Sequence, residues 1–180
     1  LISKPKPISE PEPEPTTEKR SVYVAKTSYV KGEVWVTKKN GTRIQITRLI
    51  KFEDGDTIES KGGVATIEFP DGHKIILGKN STVTLGEKNE MSLSFGSIKA
   101  FFKKPHVPFN INTPSGQVVI RGTEFVLTHK ADSSTLHLHE GNIDITTDAG
   151  TEIVSAGSSV TFNKGGVISQ KELTKVEWKS

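Results

Sequence analysis

Arg121 and Glu124 stand three residues apart around Gly122, a spacing at which a guanidinium fork can meet a carboxylate or backbone carbonyls and fix a bend. A glycine between two strand-like runs marks a bulge or a close backbone approach, so the pair is read as structural. His137 and His139 alternate with Leu136 and Leu138, which puts both imidazoles on one face of a strand, where two nitrogens can reach a metal. With the leucines turned to the core, that face is solvated, and His73, His106 and His129 add no third ligand at a recognisable spacing. Asp54 and Asp56 flank Gly55 without the further carboxylates and late Glu of a calcium loop, so a turn is expected there. Gly78-Lys79 lacks the glycine spacing of a phosphate loop, and Asn80 stands where a metal-binding hydroxyl belongs. There is no nucleophile elbow, and serine pairs such as Ser158-Ser159 fall in turn contexts. The expectation is a protein without catalytic residues, cofactor or metal.

Aromatic side chains leave one further chemistry, the stacking of sugars. Trp35, Tyr23 and Tyr29 are its candidates, although Trp35 between Val34 and Val36 better suits a residue that covers an edge or partner strand. Arg121, Gly122, Thr123, Glu124, Phe125 and Trp35 are therefore the residues of interest, as a structural motif or as an interaction surface.

The elements that position them read as all-β. Apolar residues make up 33% and charged residues 25% of the chain, which favours strands buried on one side only. Period-two alternation appears at Val22/Val24, Val34/Val36 and Ile44/Ile46, and Ile67 and Phe69 lead through Pro70-Asp71-Gly72 into Lys74 to Leu77, the pattern of a hairpin. Further strands are expected over 83–85, 91–95, 98–102, 109–111, 118–120, 124–128, 135–139, 143–146, 152–154 and 159–162. Only Lys171 to Trp178 has a pattern that suits a short helix.

Two echoes run through the strands. Gly32-Glu33-Val34-Trp35-Val36, Gly96-Ser97-Ile98-Lys99-Ala100 and Gly141-Asn142-Ile143-Asp144-Ile145 share one phrase, and Asp54-Gly55-Asp56-Thr57-Ile58 resembles Ala156-Gly157-Ser158-Ser159-Val160. Both suit a single elongated β-sandwich or solenoid-like domain of two similar β layers. The expected division is a Pro/Glu-rich linker over 1–21, an all-β domain over 22–170 and a C-terminal tail or short helix over 171–180. Prolines at positions 5, 7, 11, 13 and 15 favour an extended, semi-rigid spacer that acts as a tether.

Composition limits the partners. The net charge of +3 is dispersed, with no basic stripe, so no nucleic acid is expected. No run is long enough for a membrane-spanning helix, so any membrane contact is expected only through an anchor outside this chain. The absence of cysteine removes disulfide and thiolate chemistry.

Three motifs in order, Gly55-Asp56-Thr57-Ile58, then Phe69-Pro70-Asp71-Gly72 with Leu77-Gly78 and Ser81, then Val119-Ile120-Arg121-Gly122-Thr123-Glu124-Phe125-Val126, resemble the FecR-type domain of bacterial envelope proteins. Asn112-Thr113-Pro114, Glu140 to Ile143 and Ala156-Gly157 extend the resemblance over roughly Val30 to Val167. The founding members of that family are relays that carry a signal from a siderophore receptor to a sigma factor. Other members join the domain to a membrane anchor or to glycan-binding modules, and the Pro/Glu spacer resembles the latter arrangement. The resemblance implies a tethered, non-catalytic periplasmic or cell-envelope module that binds an envelope protein as a scaffold or signal relay. A module that binds peptidoglycan or polysaccharide is the alternative.

Overall fold

Three runs of alternating side chains continue past an ordinary strand length, and each bends. In a computed structural model of the chain, which describes residues 3–5, 23–103 and 107–173, they are β1 (Ala25–Thr37), β4 (Thr57–Glu68) and β7 (Glu90–Phe101). The bends fall at Gly32, at Gly62-Gly63 and at Gly96. On either side of each, the strand pairs with different neighbours. Before its bend β1 pairs with β3 (Lys51–Phe52) and the end of β4; after it, with β2 (Arg43–Gln45) and the start of β4. The start of β4 then joins β6 (Ser81–Leu85), and its end joins β5 (Lys74–Leu77). The first half of β7 pairs with β6 and β8 (Phe109–Thr113), the second with β5 and β10 (Glu124–Lys130).

One continuous sheet is thereby folded over on itself into two layers. The first layer runs β2, β1, β4, β6, β7, β8, β9 (Gly116–Ile120), β12 (Asn142–Thr147), β13 (Gly150–Ser155). The second runs β3, β1, β4, β5, β7, β10, β11 (Ser133–Glu140), β14 (Ser158–Asn163), β15 (Gly166–Glu172). Alternate residues from both, including Ile58, Ile67, Leu93, Ile98, Ile111, Leu127, Leu136, Ile143 and Val160, form one buried core between the layers. From β8 onward the chain winds, laying one hairpin on the first layer and the next on the second. The sandwich and solenoid-like descriptions therefore both apply.

A fold line must break hydrogen bonds of the ladder, and the freed backbone groups need partners. Buried Ser60 and Ser81 supply them. The Ser81 amide donates to Ser60 Oγ at 3.0 Å, and the Ser97 amide donates to Ser81 Oγ at 2.9 Å. The Ser81 hydroxyl in turn donates to the Ser97 carbonyl at 3.2 Å. Gly96, at φ 94°, lies so close to Ser81 that a Cβ there would come within 2.5 Å of Ser81 Cα.

Both echoes in the sequence coincide with passages between the layers. Gly32 and Gly96 sit on the fold line, while Gly55, Gly141 and Gly157 sit where the chain crosses at the opposite margin, all with φ between 78° and 94°. The Pro70-Asp71-Gly72 turn joins β4 to β5, with Gly72 N–H donating to the Phe69 carbonyl at 2.9 Å. Some expectations shift. Ile44 is exposed and Ile46 buried, because β2 ends at Gln45 on the sheet edge. Lys171 and Glu172 belong to β15 and not to a helix, since they pair with Ser159 and Ser158. Residues 174–180, Val22 and most of the Pro/Glu-rich stretch lie outside the described residues.

Candidate functional site

The most distinctive run of the sequence, Arg121 to Phe125, forms the corner where β9 leaves the first layer and β10 enters the second. The corner is clamped to the chain leaving β7: Thr123 N–H donates to the Phe102 carbonyl at 3.1 Å, and Phe102 N–H to the Thr123 carbonyl at 2.9 Å. Phe125 is fully buried and anchors the corner in an aromatic cluster. Its ring lies 6.2 Å from that of Phe102, which lies 4.9 Å from Phe109, itself edge-on to Phe69 at 5.1 Å. Gly122, at φ 111°, meets the next crossing, where a Cβ on Gly141 would fall 2.5 Å from the Gly122 carbonyl oxygen. Two glycines face each other because two crossings share one margin.

The charged members of the run point away from one another. Arg121 is exposed, its Nη2 at 3.4 Å from Asp144 Oδ2 on β12. Glu124 Oε1 lies 3.6 Å from Lys99 Nζ on β7. Arg121 thus meets a carboxylate as its type and position anticipate, but the carboxylate comes from a neighbouring strand and not from Glu124. Beside Glu124 opens a cleft of about 430 Å³ lined by Lys74, Phe101, Lys103, Thr123, Glu124 and Glu140, among others. It combines a half-exposed aromatic ring, over which Lys99 Nζ sits at 5.1 Å from the centroid, with charges of both signs. Lys74, Phe101 and Lys103 carry no motif of their own; the strand pairing of Phe101 with Lys74 and Glu124 brings Lys74 and Phe101 to the corner, and that of Glu124 with Glu140 brings Glu140.

Below the cleft His73 is buried against the Phe102 ring at 4.6 Å, with Nε2 3.0 Å from Asp71 Oδ2. Burial lowers its pKa below the ordinary histidine value; nearby Asp71 opposes the shift and Lys103 adds to it. His137 and His139 project from the outer face of β11 while Leu136 and Leu138 are buried. Desolvation lowers the pKa of His139 against the pull of Glu124. Among the described residues no group of three or more His, Asp or Glu side chains is placed to hold a metal ion.

The other candidates are spread over the molecule. Trp35 faces outward on β1, its Nε1 donating to Glu33 Oε1 at 2.7 Å and Arg43 lying 4.9 Å above the ring. One face of the ring is thus covered by Arg43 and its N–H is engaged. Asp54 and Asp56 do form a turn. Asp56 is buried, its Oδ2 at 2.6 Å from Lys38 Nζ and accepting from the Glu53 amide at 2.9 Å. A serine–histidine contact that the sequence left unmarked lies under the hairpin tips, where His129 Nδ1 is 3.0 Å from Ser134 Oγ and 3.4 Å from Ser115 Oγ. All three side chains are buried and tie loops together. Spacing along the chain gives no sign of them, because they meet through the third dimension only.

The arrangement compares with known proteins as follows. No curated protein matches the chain. Two crystal structures of a candidate anti-sigma factor from Parabacteroides distasonis ATCC 8503, at 2.50 and 1.65 Å resolution, share the fold with a TM-score of 0.59 and 14% identity. The similarity covers 68% of this chain and 62% of theirs, so the chain matches less than two thirds of that neighbour's length. The model of the FecR protein family matches residues 56–144, from the buried Asp56 to the partner of Arg121. The chain carries a FecR domain, and the Arg121–Phe125 corner lies inside it.

Proposed function

We propose that the chain is a non-catalytic, protein-binding relay module of the bacterial cell envelope, and that it docks its partner at the crossover cleft. The family match carries this reading, because the matched region contains the Arg121–Phe125 corner and all the residues that line the cleft. Proteins of this family act in regulation, and the fold neighbours bear the name of an anti-sigma factor, which fits transmission of a signal through protein contacts. The cleft suits such a contact. It is open, carries both signs of charge and presents Phe101 as an aromatic anchor at its rim. Among the described residues no helix is long and apolar enough to cross a membrane, and the tether reading assigns attachment to a separate anchor, with residues 1–21 as the spacer.

Site-specific photocrosslinking in living cells tests the proposal. A photoreactive amino acid at Phe101 or Lys103 is expected to capture the same protein reproducibly, and one at Thr84, on the opposite layer, is not. Arg121→Ala is expected to weaken capture while changing stability by no more than about 1 kcal/mol, since its ion pair is exposed. Adducts that are absent at the cleft, or equal at Thr84, would remove the cleft as the docking site.

A further inference from the structure

β13 is the last strand of the first layer, and among the described residues it has a neighbouring strand on one side only. Hydrogen-bond phase decides which of its backbone groups are engaged. Ala156 N–H donates to the Gly141 carbonyl at 3.0 Å, and from there the register runs without a shift from Ser155 opposite Asn142 to Gly150 opposite Thr147. Bonded and unbonded pairs alternate in an antiparallel ladder, so Val154 and Glu152 turn their N–H and C=O groups toward β12. Those of Thr151, Ile153 and Ser155 turn to the open edge, a row of donors and acceptors that only another strand can match along its length.

Natural edges are blunted by brevity, proline, lysine or a bulge. β2 and β3, of three and two residues, are brief, and β15 carries Lys171 and a register shift. β13 keeps six residues, Gly150–Ser155, in even register, without proline or lysine and with Glu152 as its one charge. Ile153 in its middle is 71% exposed, more than any other large hydrophobic side chain among the described residues, while the next residue, Val154, is buried in the core.

We propose that the occupant of this edge is a second copy of the chain, β13 against β13 about a two-fold axis at Ile153, which joins the first layers of two molecules into one sheet. The strand's own register selects that occupant. Two antiparallel copies exchange bonds only where edge-facing residues stand opposite one another. Centred on Ile153, the pairing sets Ile153 opposite Ile153 and Thr151 opposite Ser155, so every edge-facing group of both strands is used, in about six hydrogen bonds. Glu152 then stands opposite Val154. The neighbouring register on one side would set Glu152 opposite Glu152, and that on the other would set Thr151 opposite Gly157, beyond the strand. The axis also brings the two Ile153 side chains together on the outer face, which removes the most exposed apolar group of each copy from water. A closed two-fold pair of this kind ends the sheet extension at two molecules. The relay reading is independent of it, because Phe101 and Glu124 of the cleft lie on strands of the second layer.

Sedimentation equilibrium and single-cysteine crosslinking of the full chain test the proposal, and the crosslinks are unambiguous because the chain has no cysteine of its own. A concentration-dependent monomer–dimer equilibrium is expected. Opposed residues of a bonded pair have Cα atoms about 5.5 Å apart, within disulfide range, so Ile153→Cys is expected to form a disulfide-linked dimer on mild oxidation. Thr151→Cys alone is expected to form none, whereas Thr151→Cys mixed with Ser155→Cys is expected to crosslink. Ile153→Pro removes an edge-facing amide and none that β12 uses, and is expected to raise the dimer dissociation constant about tenfold or more. Ile153→Lys, which places like charges on the axis, is the second probe should the proline variant fail to fold, and the same loss is expected of it. A chain that stays monomeric at every concentration, a dimer that Ile153→Lys leaves intact, or a crosslink from Thr151→Cys alone overturns the proposal. So does a monomer in which the cysteine of Ile153→Cys reacts with a thiol reagent only after deletion of residues 174–180, a result that gives the edge to the chain's own end.

Discussion

His129 has a ring 2% exposed, with Nδ1 held between two serine hydroxyls. Removal from water lowers its pKa, and bonds to the backbone at Ala131 and Ser133 only partly oppose this. His73 and His139 are shifted the same way, each chiefly by burial. The unfolded chain therefore takes up protons near the ordinary histidine pKa, about 6.5, while the folded chain resists until lower pH. Folding stability is then fully present above that value and falls as the pH drops toward the depressed folded-state pKa values. Urea unfolding at pH 8 and pH 5 is expected to give a lower midpoint at pH 5, and His129→Gln to flatten part of the difference. Equal midpoints would refute neutral burial of these rings. The sequence marked His129 as a histidine without a partner at useful spacing. Its serine partners come from the β8–β9 turn and from β11, which no periodicity connects.

At the scale of elements the alternation of buried residues changes phase at each bend. In β1 Ala25 and Thr27 are buried before Gly32, and Val34 and Val36 after it; in β7 Met91 and Leu93 precede Gly96, and Ile98 and Ala100 follow. A sequence reading that tracks parity breaks such a strand in two, which is why 91–95 and 98–102 are expected as separate elements. The strands themselves were legible from their period. Their continuity was not, because it depends on a glycine that lets the chain turn without leaving the sheet. Gly96→Ala is expected to cost about 2–4 kcal/mol, since the new methyl would meet Ser81 and require a positive φ of a residue with a Cβ. Denaturant unfolding measures it, and a loss below about 0.5 kcal/mol would mean that the fold line yields.

At the scale of the molecule the two ends of the sandwich differ. One end finishes in β2 and β3, of three and two residues, and the other in β13 and β15, of six and seven. Short edges offer little backbone for pairing with another chain, whereas a longer edge can be guarded by irregularity. β15 has a register shift between its pairings with Thr161 and Phe162 and is mostly exposed. Deleting residues 166–172 is expected to leave β14 as a new edge over buried Val160 and Phe162, with aggregation detectable by light scattering. A truncated chain that stays free of aggregates and equally stable would make β15 dispensable. The all-β class, the two layers and the corner motif were readable from alternation, glycine echoes and the Arg121–Phe125 run. The cleft was not, since it joins motif residues such as Gly122, Thr123 and Glu124 to Lys74 and Phe101, which are ordinary in sequence and reach the corner only through strand register.

The winding of the chain from β8 to β15 also makes the domain a ruler. β8 to β11 lay one hairpin on each layer, and β12 to β15 repeat the operation. A further copy of such a four-strand unit, grafted after Glu172, would find the same two edges to extend. The long axis would then lengthen in increments of two strands, about 10 Å each, with the earlier coils undisturbed. The reach of such a domain is therefore quantised, adjusted by the number of coils and not by stretching any one of them.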